Sequence, residues 1–127
     1  MITIEIAKRF HDRLIDDFGG SKGIRDLSGL EAALSRPYMT FDQQELYPTA
    51  VDKAAAIFQS LIINHPFVDG NKRIAYSLLR VTLIREGYDF IASQSEKYDF
   101  SINASMGNVD IDQIKEWLGS RLIQLEK

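Results

Sequence analysis

His65-Pro66-Phe67-Val68-Asp69-Gly70-Asn71-Lys72-Arg73 joins two apolar helical segments, and its reading orders the rest of the chain. Upstream, Val51, Ala54, Ala55, Phe58, Leu61 and Ile62 recur at helical spacing. Thr49 with Asp52 makes a capping-box pattern where that helix opens. Continuing the spacing lands on His65, which is therefore expected to face inward at the end of a buried stripe. Pro66 breaks the helix. Downstream, Arg73 to Glu86 reads as the next helix, with Gly87 as its stop. Ile74, Ala75, Leu78, Leu79, Val81, Leu83 and Ile84 cover most of its circumference, the pattern of a central helix.

Outward from this centre the chain stays helical. Ile6, Phe10, Leu14 and Phe18 recur every four residues on one face, and Gly19-Gly20 ends that helix. A glycine-rich connection runs from Gly19 to Gly29. Ser28 with Glu31 reads as a capping box for a short helix, and Arg36 before Pro37 is a poor place to continue it. Tyr38 to Tyr47 is aromatic, polar and irregular, an exposed loop or hairpin. Ser93 with Glu96 caps a helix ending near Gly107. Asp110 with Gln113 caps the last one, whose core face is expected to be Ile114, Trp117, Leu118, Leu122 and Leu125, finishing close to Lys127. The fold class expected is all-α, a compact bundle of about six helices with no long strand.

Composition narrows the function. The 127 residues suit one domain, 1–127, with a single core. Apolar residues make up 45% and charged residues 26%, an ordinary globular balance. The net charge of −3 argues against direct nucleic-acid binding, which needs a basic field, and favours a basic partner. Without cysteine there is no disulfide, thiol catalysis or Cys-ligated zinc, in keeping with a cytoplasmic protein. No apolar run approaches the ~20 residues of a membrane span. Met1 to Arg9 carries Glu5 and does not read as a signal peptide. Two histidines do not make a His-rich metal site.

The chemistry is concentrated in residues 65 to 73. A helix N-terminus at about Asn71 to Arg73 presents free N–H groups and binds anions. Gly70 lets backbone approach a phosphate closely. Arg73 can grip phosphate in a fork, and Lys72 adds a mobile charge. Asp69 is placed to hold Mg²⁺. Asn71 can fix the loop or contact phosphate. His65 has the intrinsic basicity to accept a hydroxyl proton near pH 7. Each residue alone has a plainer role: a packed histidine, a turn Asp or N-cap, solvated cations. One short loop holding every part needed for phosphoryl-type transfer outweighs those roles. Elsewhere, Arg25 and Asp26 read as a turn or salt bridge, His11 as a surface residue off the apolar stripe, and Tyr76 as packing or pocket lining.

The segment resembles the Fic/Doc (Fido) signature H-x-F-x-[D/E]-G-N-x-R. His65, Phe67, Asp69, Gly70, Asn71 and Arg73 match its six fixed positions, a coincidence on the order of once in a million by average residue usage. Gly19-Gly20 with Gly23-Ile24-Arg25-Asp26, then Leu30-Glu31-Ala32-Ala33-Leu34 and Arg36-Pro37, resembles the N-terminal half of the death-on-curing (Doc) toxin branch. The resemblance implies a Fido fold with a flap at Tyr38 to Tyr47 that docks the target as an added strand; an ordinary exposed loop is an equal alternative there.

Two positions depart from the adenylylating Fic pattern. Lys72 stands where that pattern has glycine, and Tyr76 where it has a second arginine. Asn-Lys-Arg is instead the Doc arrangement, in which the nucleotide lies reversed. The resemblance thus implies a toxin of a type II toxin–antitoxin system: a protein kinase moving the γ-phosphate of ATP, with Mg²⁺, to a Ser or Thr of a translation factor, elongation factor Tu being the branch's target, so that translation inhibition arrests growth. The expected catalytic residues are His65, Asp69, Lys72 and Arg73; phosphate binding falls to Gly70, Asn71, Lys72 and Arg73, and the metal to Asp69. The alternatives are a Fic-type adenylyltransferase and a non-catalytic nucleotide- or partner-binding Fido module. No inhibitory helix is recognised at either end. Restraint is therefore expected from a Phd-like antitoxin whose disordered C-terminal segment folds into a groove over the site.

Overall fold

Two helices of equal length form the centre of the molecule, as the apolar patterns flanking the loop require. In a computed structural model, which describes residues 1–107 and 110–126, they are α3 (Ala50–Asn64) and α4 (Asn71–Arg85). Ala54, Ala55 and Ala56 of α3 are all fully buried, and their small side chains let neighbouring elements approach closely. Ile57, Phe58 and Leu61 of α3 meet Ile74, Leu78, Leu79 and Leu83 of α4 in one core. Around this pair lie α1 (Ile4–Phe18), α2 (Leu27–Ser35), α5 (Gln94–Ser105) and α6 (Ile111–Gly119). Leu30, Ala33 and Leu34 of α2, Phe100 of α5 and Ile114 and Leu118 of α6 complete the core. The fold is thus all-α, with six α-helices among the described residues and only short antiparallel strand pairs.

One pair is the hairpin β1 (Thr40–Phe41) and β2 (Gln44–Glu45), in the segment read as a loop or hairpin. Its tip, Asp42 and Gln43, has φ of 51° and 64°, the left-handed pair of a tight hairpin turn. The hairpin is exposed but anchored. The Lys53 ammonium donates to Glu45 Oε1 (3.0 Å) and to the Tyr47 carbonyl (2.6 Å), and Arg36 Nε donates to the Tyr47 hydroxyl (2.9 Å).

The second pair corrects the reading of the C-terminus. The last helix stops at Gly119, and β4 (Leu122–Gln124) pairs with β3 (Tyr88–Phe90) in the register Tyr88↔Gln124 and Phe90↔Leu122. Leu122 and Leu125 are therefore not on a helix face. The helix ends because unpaired backbone beyond Gly87 offers it partners: Ile91 N–H donates to the Arg121 carbonyl and Leu125 N–H to the Gly87 carbonyl. The helix end expected near Lys127 is therefore corrected to Gly119.

Two further expectations are corrected. The cap of α2 is Asp26, not Ser28: Asp26 Oδ1 accepts from Gly29 N–H (2.9 Å) and from the Ser28 hydroxyl (3.1 Å). Both residue types cap well, but the Asp26 N–H is held by the Pro66 carbonyl, which keeps Asp26 extended. On α1, the buried residues are Ala7, His11 and Ile15, while Phe10 and Phe18 are 39% and 60% exposed. The two stripes lie one residue apart on the same helix. Size favours the phenylalanine stripe, but α1 crosses the loop at residues 67–70, where His11 stacks on Phe67 and hydrogen-bonds Asp69 and Ile15 lies against Gly70.

Candidate active site

The loop between α3 and α4 is built by backbone pairing. His65 caps α3 in the left-handed conformation (φ 45°, ψ 56°), which takes its side chain off the buried stripe. His65 is accordingly exposed rather than inward-facing, and it lines a pocket. Its carbonyl and that of Asn64 accept from the Arg25 guanidinium at 2.9 and 3.0 Å. The strand-like run 23–26 then lies antiparallel to the loop. Ile24 bridges to Phe67, Val68 N–H donates to the Gly23 carbonyl, and Arg25 and Asp26 N–H both donate to the Pro66 carbonyl. Asn71 closes the loop on itself: its Oδ1 accepts from Phe67 N–H and its Nδ2 donates to the Phe67 carbonyl, both at 3.0 Å.

These pairings leave α4 starting just after Gly70, which has φ 72° and supplies no side-chain cap. The other five α-helices each begin with a side chain accepting from their first turn: Thr3, Asp26, Thr49, Ser93 and Asp110. The open amides of α4 and its dipole give this end of the pocket a fixed positive character.

The pocket, of about 860 Å³, gathers His65, Asp69, Gly70, Asn71, Lys72 and Arg73 on one side. Every residue of the expected site is thus brought together. Arg73 places its guanidinium 4.6 Å from the Phe18 ring, and neither Lys72 nor Arg73 forms an ion pair among the described residues. Both cations remain available for an anionic ligand. Tyr76 also lines the pocket, with the Lys97 ammonium 5.8 Å from its ring; Tyr98 and Gln94 lie on the same wall.

The Asp69 carboxylate is held by backbone. Oδ2 accepts from Ser21 N–H (3.2 Å) and Oδ1 from Gly70 N–H (2.8 Å). Gly20 makes this approach possible: a Cβ there would sit 2.7 Å from Asp69 Oδ2. The two bonds leave lone pairs on both oxygens. No cluster of three or more His, Asp or Glu suited to a metal exists among the described residues. A single carboxylate beside open amides and two cations fits a hydrated Mg²⁺ arriving with phosphates, rather than a standing all-protein metal centre.

Three residues that matter here were not evident from the sequence. Arg25 clamps the turn at His65, Gly20 cradles Asp69, and His11 lies under the loop rather than on the surface. The Ala7–His11–Ile15 spacing and the Gly19-Gly20 doublet were the available signals. Each has commoner readings as long as the partner across the fold is unknown.

Comparison with known proteins agrees with this geometry. A sequence model described as the Fic/DOC family matches residues 1–83, a span that holds α1 to α3, the whole loop and most of α4. The chain is also 38% identical over 101 residues to Toxin Doc of Mycolicibacterium smegmatis (strain ATCC 700084 / mc(2)155), an overlap covering 76% of each protein.

Proposed function

This chain belongs to the Fic/DOC family, and on that premise we propose that it is a toxin acting as a nucleotide-dependent protein kinase. The observation that carries the proposal is the convergence of His65, Asp69, Lys72 and Arg73 on one pocket at the α-helix N-terminus that no side chain caps. In the reaction, a target Ser or Thr hydroxyl oxygen bonds to the γ-phosphorus of ATP. The bond from that phosphorus to the β,γ-bridging oxygen breaks, and ADP leaves. His65 takes the hydroxyl proton. The α4 amides, Lys72 and Arg73 stabilise charge on the transferring group. Asn71 keeps the loop shape, and Gly70 keeps backbone near the phosphates. Asp69 would hold Mg²⁺, which supplies charge neutralisation at the phosphate oxygens.

Transfer of the γ-phosphoryl rather than of AMP is favoured by the two departures from the adenylylating pattern, since Lys72 and Tyr76 both line the pocket. Lys72 occupies space a glycine would leave open, and Tyr76 offers no second guanidinium. The target we propose is elongation factor Tu, docked along the exposed β1–β2 hairpin, in the cytoplasm. Among the described residues, no helix is long and apolar enough to cross a membrane. A Phd-like antitoxin is the proposed restraint. The exposed Phe10 and Phe18, with Leu14, run along α1 into the pocket and suit the apolar face of a folding helix.

The test is label transfer from γ-labelled and α-labelled ATP to purified elongation factor Tu, with His65→Ala as control. Transfer from the γ label alone is expected. Transfer from the α label would mean adenylylation and would overturn the argument from Lys72. Transfer from neither would leave a different substrate or a binding module.

A further inference from the structure

His11 has no place in the mechanism above, yet it is buried and held in a defined orientation beneath the loop. It is 1% exposed. Its ring stacks on Phe67 at 3.9 Å between centroids and 9° between planes. Its Nε2 lies 2.6 Å from the Asp69 carbonyl oxygen, across 58 residues of sequence. Its Nδ1 is buried with no hydrogen-bond partner among the described residues.

A carbonyl oxygen only accepts, so the proton of this hydrogen bond sits on Nε2 and points at Asp69. Nδ1 then carries the lone pair, which costs less to leave unpaired than an N–H donor. Burying a donor-bearing ring under a loop is costly unless the bond it makes matters to the fold or the site. The carbonyl it holds belongs to the peptide joining Asp69 to Gly70, which passes the Nε2 edge of the ring: a Cβ on Gly70 would lie 3.6 Å from Nε2. That peptide sets the aim of the Asp69 carboxylate on one side and of the α4 amides on the other.

We propose that His11 is a positioning residue, whose Nε2–H fixes the Asp69–Gly70 peptide so that the α4 N-terminus faces the bound phosphates and the Asp69 carboxylate faces the Mg²⁺ it would hold beside them. The inference rests on the phosphoryl-transfer reading for its consequence and on geometry alone for its structural content, and its test separates the two.

His11→Phe keeps the stack on Phe67 and removes the donor. His11→Gln restores a donor at nearly the same reach without the ring. Thermal unfolding, ATP affinity and γ-phosphoryl transfer are measured for both and for the unaltered chain. The expected result is that His11→Phe folds and transfers about 10²-fold more slowly, the scale of a misplacement near 1 Å, while His11→Gln recovers most of the rate. Wild-type transfer by His11→Phe, or equal losses in both variants, would overturn the proposal. If His11→Phe does not fold, His11→Gln decides: near-wild-type transfer supports the hydrogen bond, and a loss as large as about 10²-fold sinks it. ¹⁵N spectra of the unaltered chain give a readout independent of activity. Protonation on Nε2, with Asn71 and Lys72 amide shifts that move in His11→Phe and return in His11→Gln, is expected; protonation on Nδ1 alone rejects the geometry. Should the unaltered chain transfer no phosphoryl group from ATP, the functional reading fails while these spectra still decide the role of His11 in the loop.

Discussion

The N-termini of α3 and α4 begin two helices of 15 residues each, packed together at the centre, and they are built in opposite ways. At α3, Thr49 is extended, its hydroxyl accepts from Asp52 N–H (3.0 Å), and Asp52 Oδ2 accepts from Thr49 N–H (3.3 Å). Lys115 of α6 adds an ion pair to Asp52 at 2.7 Å. At α4, Gly70 is left-handed and supplies no cap. One end uses its amide groups for stability; the other has no side-chain cap and starts at the pocket. What α4 lacks in a cap is offset by Asn71 on Phe67, Arg25 on the turn before it, and His11 beneath it.

Substitutions at the two ends should therefore separate activity from stability. The largest effect is expected for His65→Ala, beside the open end: transfer to the protein target falls by about 10²–10⁴-fold. The melting temperature stays close to that of the unaltered chain, because the side chain is exposed. A γ-label assay run beside thermal unfolding checks both; a large drop in melting temperature would mean that His65 is structural. Gly70→Ala puts a side chain at φ 72° and a methyl 3.3 Å from Ile15 Cδ1. A stability loss of about 1 kcal/mol or more is expected in urea titration, together with weaker ATP binding.

At the capped end, Thr49→Ala should cost about 1 kcal/mol of stability and leave transfer per folded molecule unchanged. A reduced rate per folded molecule would break the comparison. The smallest effect is the pH dependence at Asp52. Burial pushes its carboxyl up, but the hydrogen bonds from Lys115 and from the Thr49 hydroxyl and amide outweigh burial and hold it below the usual value. A carboxyl lowered in the folded state stabilises above its unfolded pKa of about 4. That contribution is lost as pH falls through the lowered folded value. The stability difference between the unaltered chain and Asp52→Asn, below about 1 kcal/mol for a partly exposed pair, should be full at pH 7 and vanish in acid. A difference that grew on acidification would contradict the sign.

The capping boxes at Thr49, Ser93 and Asp110 were legible because each is a contact between residues three apart. The loop motif was legible because its residue types carry their chemistry with them. The orientation of His65 is not legible, since its left-handed cap turns it out of a stripe that spacing alone continues. The buried face of α1 is not legible because two stripes one residue apart both repeat every four residues. Phe10 and Phe18 are the larger and more apolar residues, but it is His11 that stacks and hydrogen-bonds beneath the loop.

By itself the sequence determined the all-helical pattern, the two central helices, most helix starts and the set of residues at the candidate site. These depend on periodicity and on hydrogen bonds that close within a turn. Only the tertiary structure decided that Arg25, Gly20 and His11 hold that set in place, that β4 pairs with β3 instead of extending α6, and that α4 begins uncapped at the pocket. Those choices rest on which backbone groups meet across tens of residues, and a buried amide or carbonyl takes whichever partner the packing of the core brings within reach.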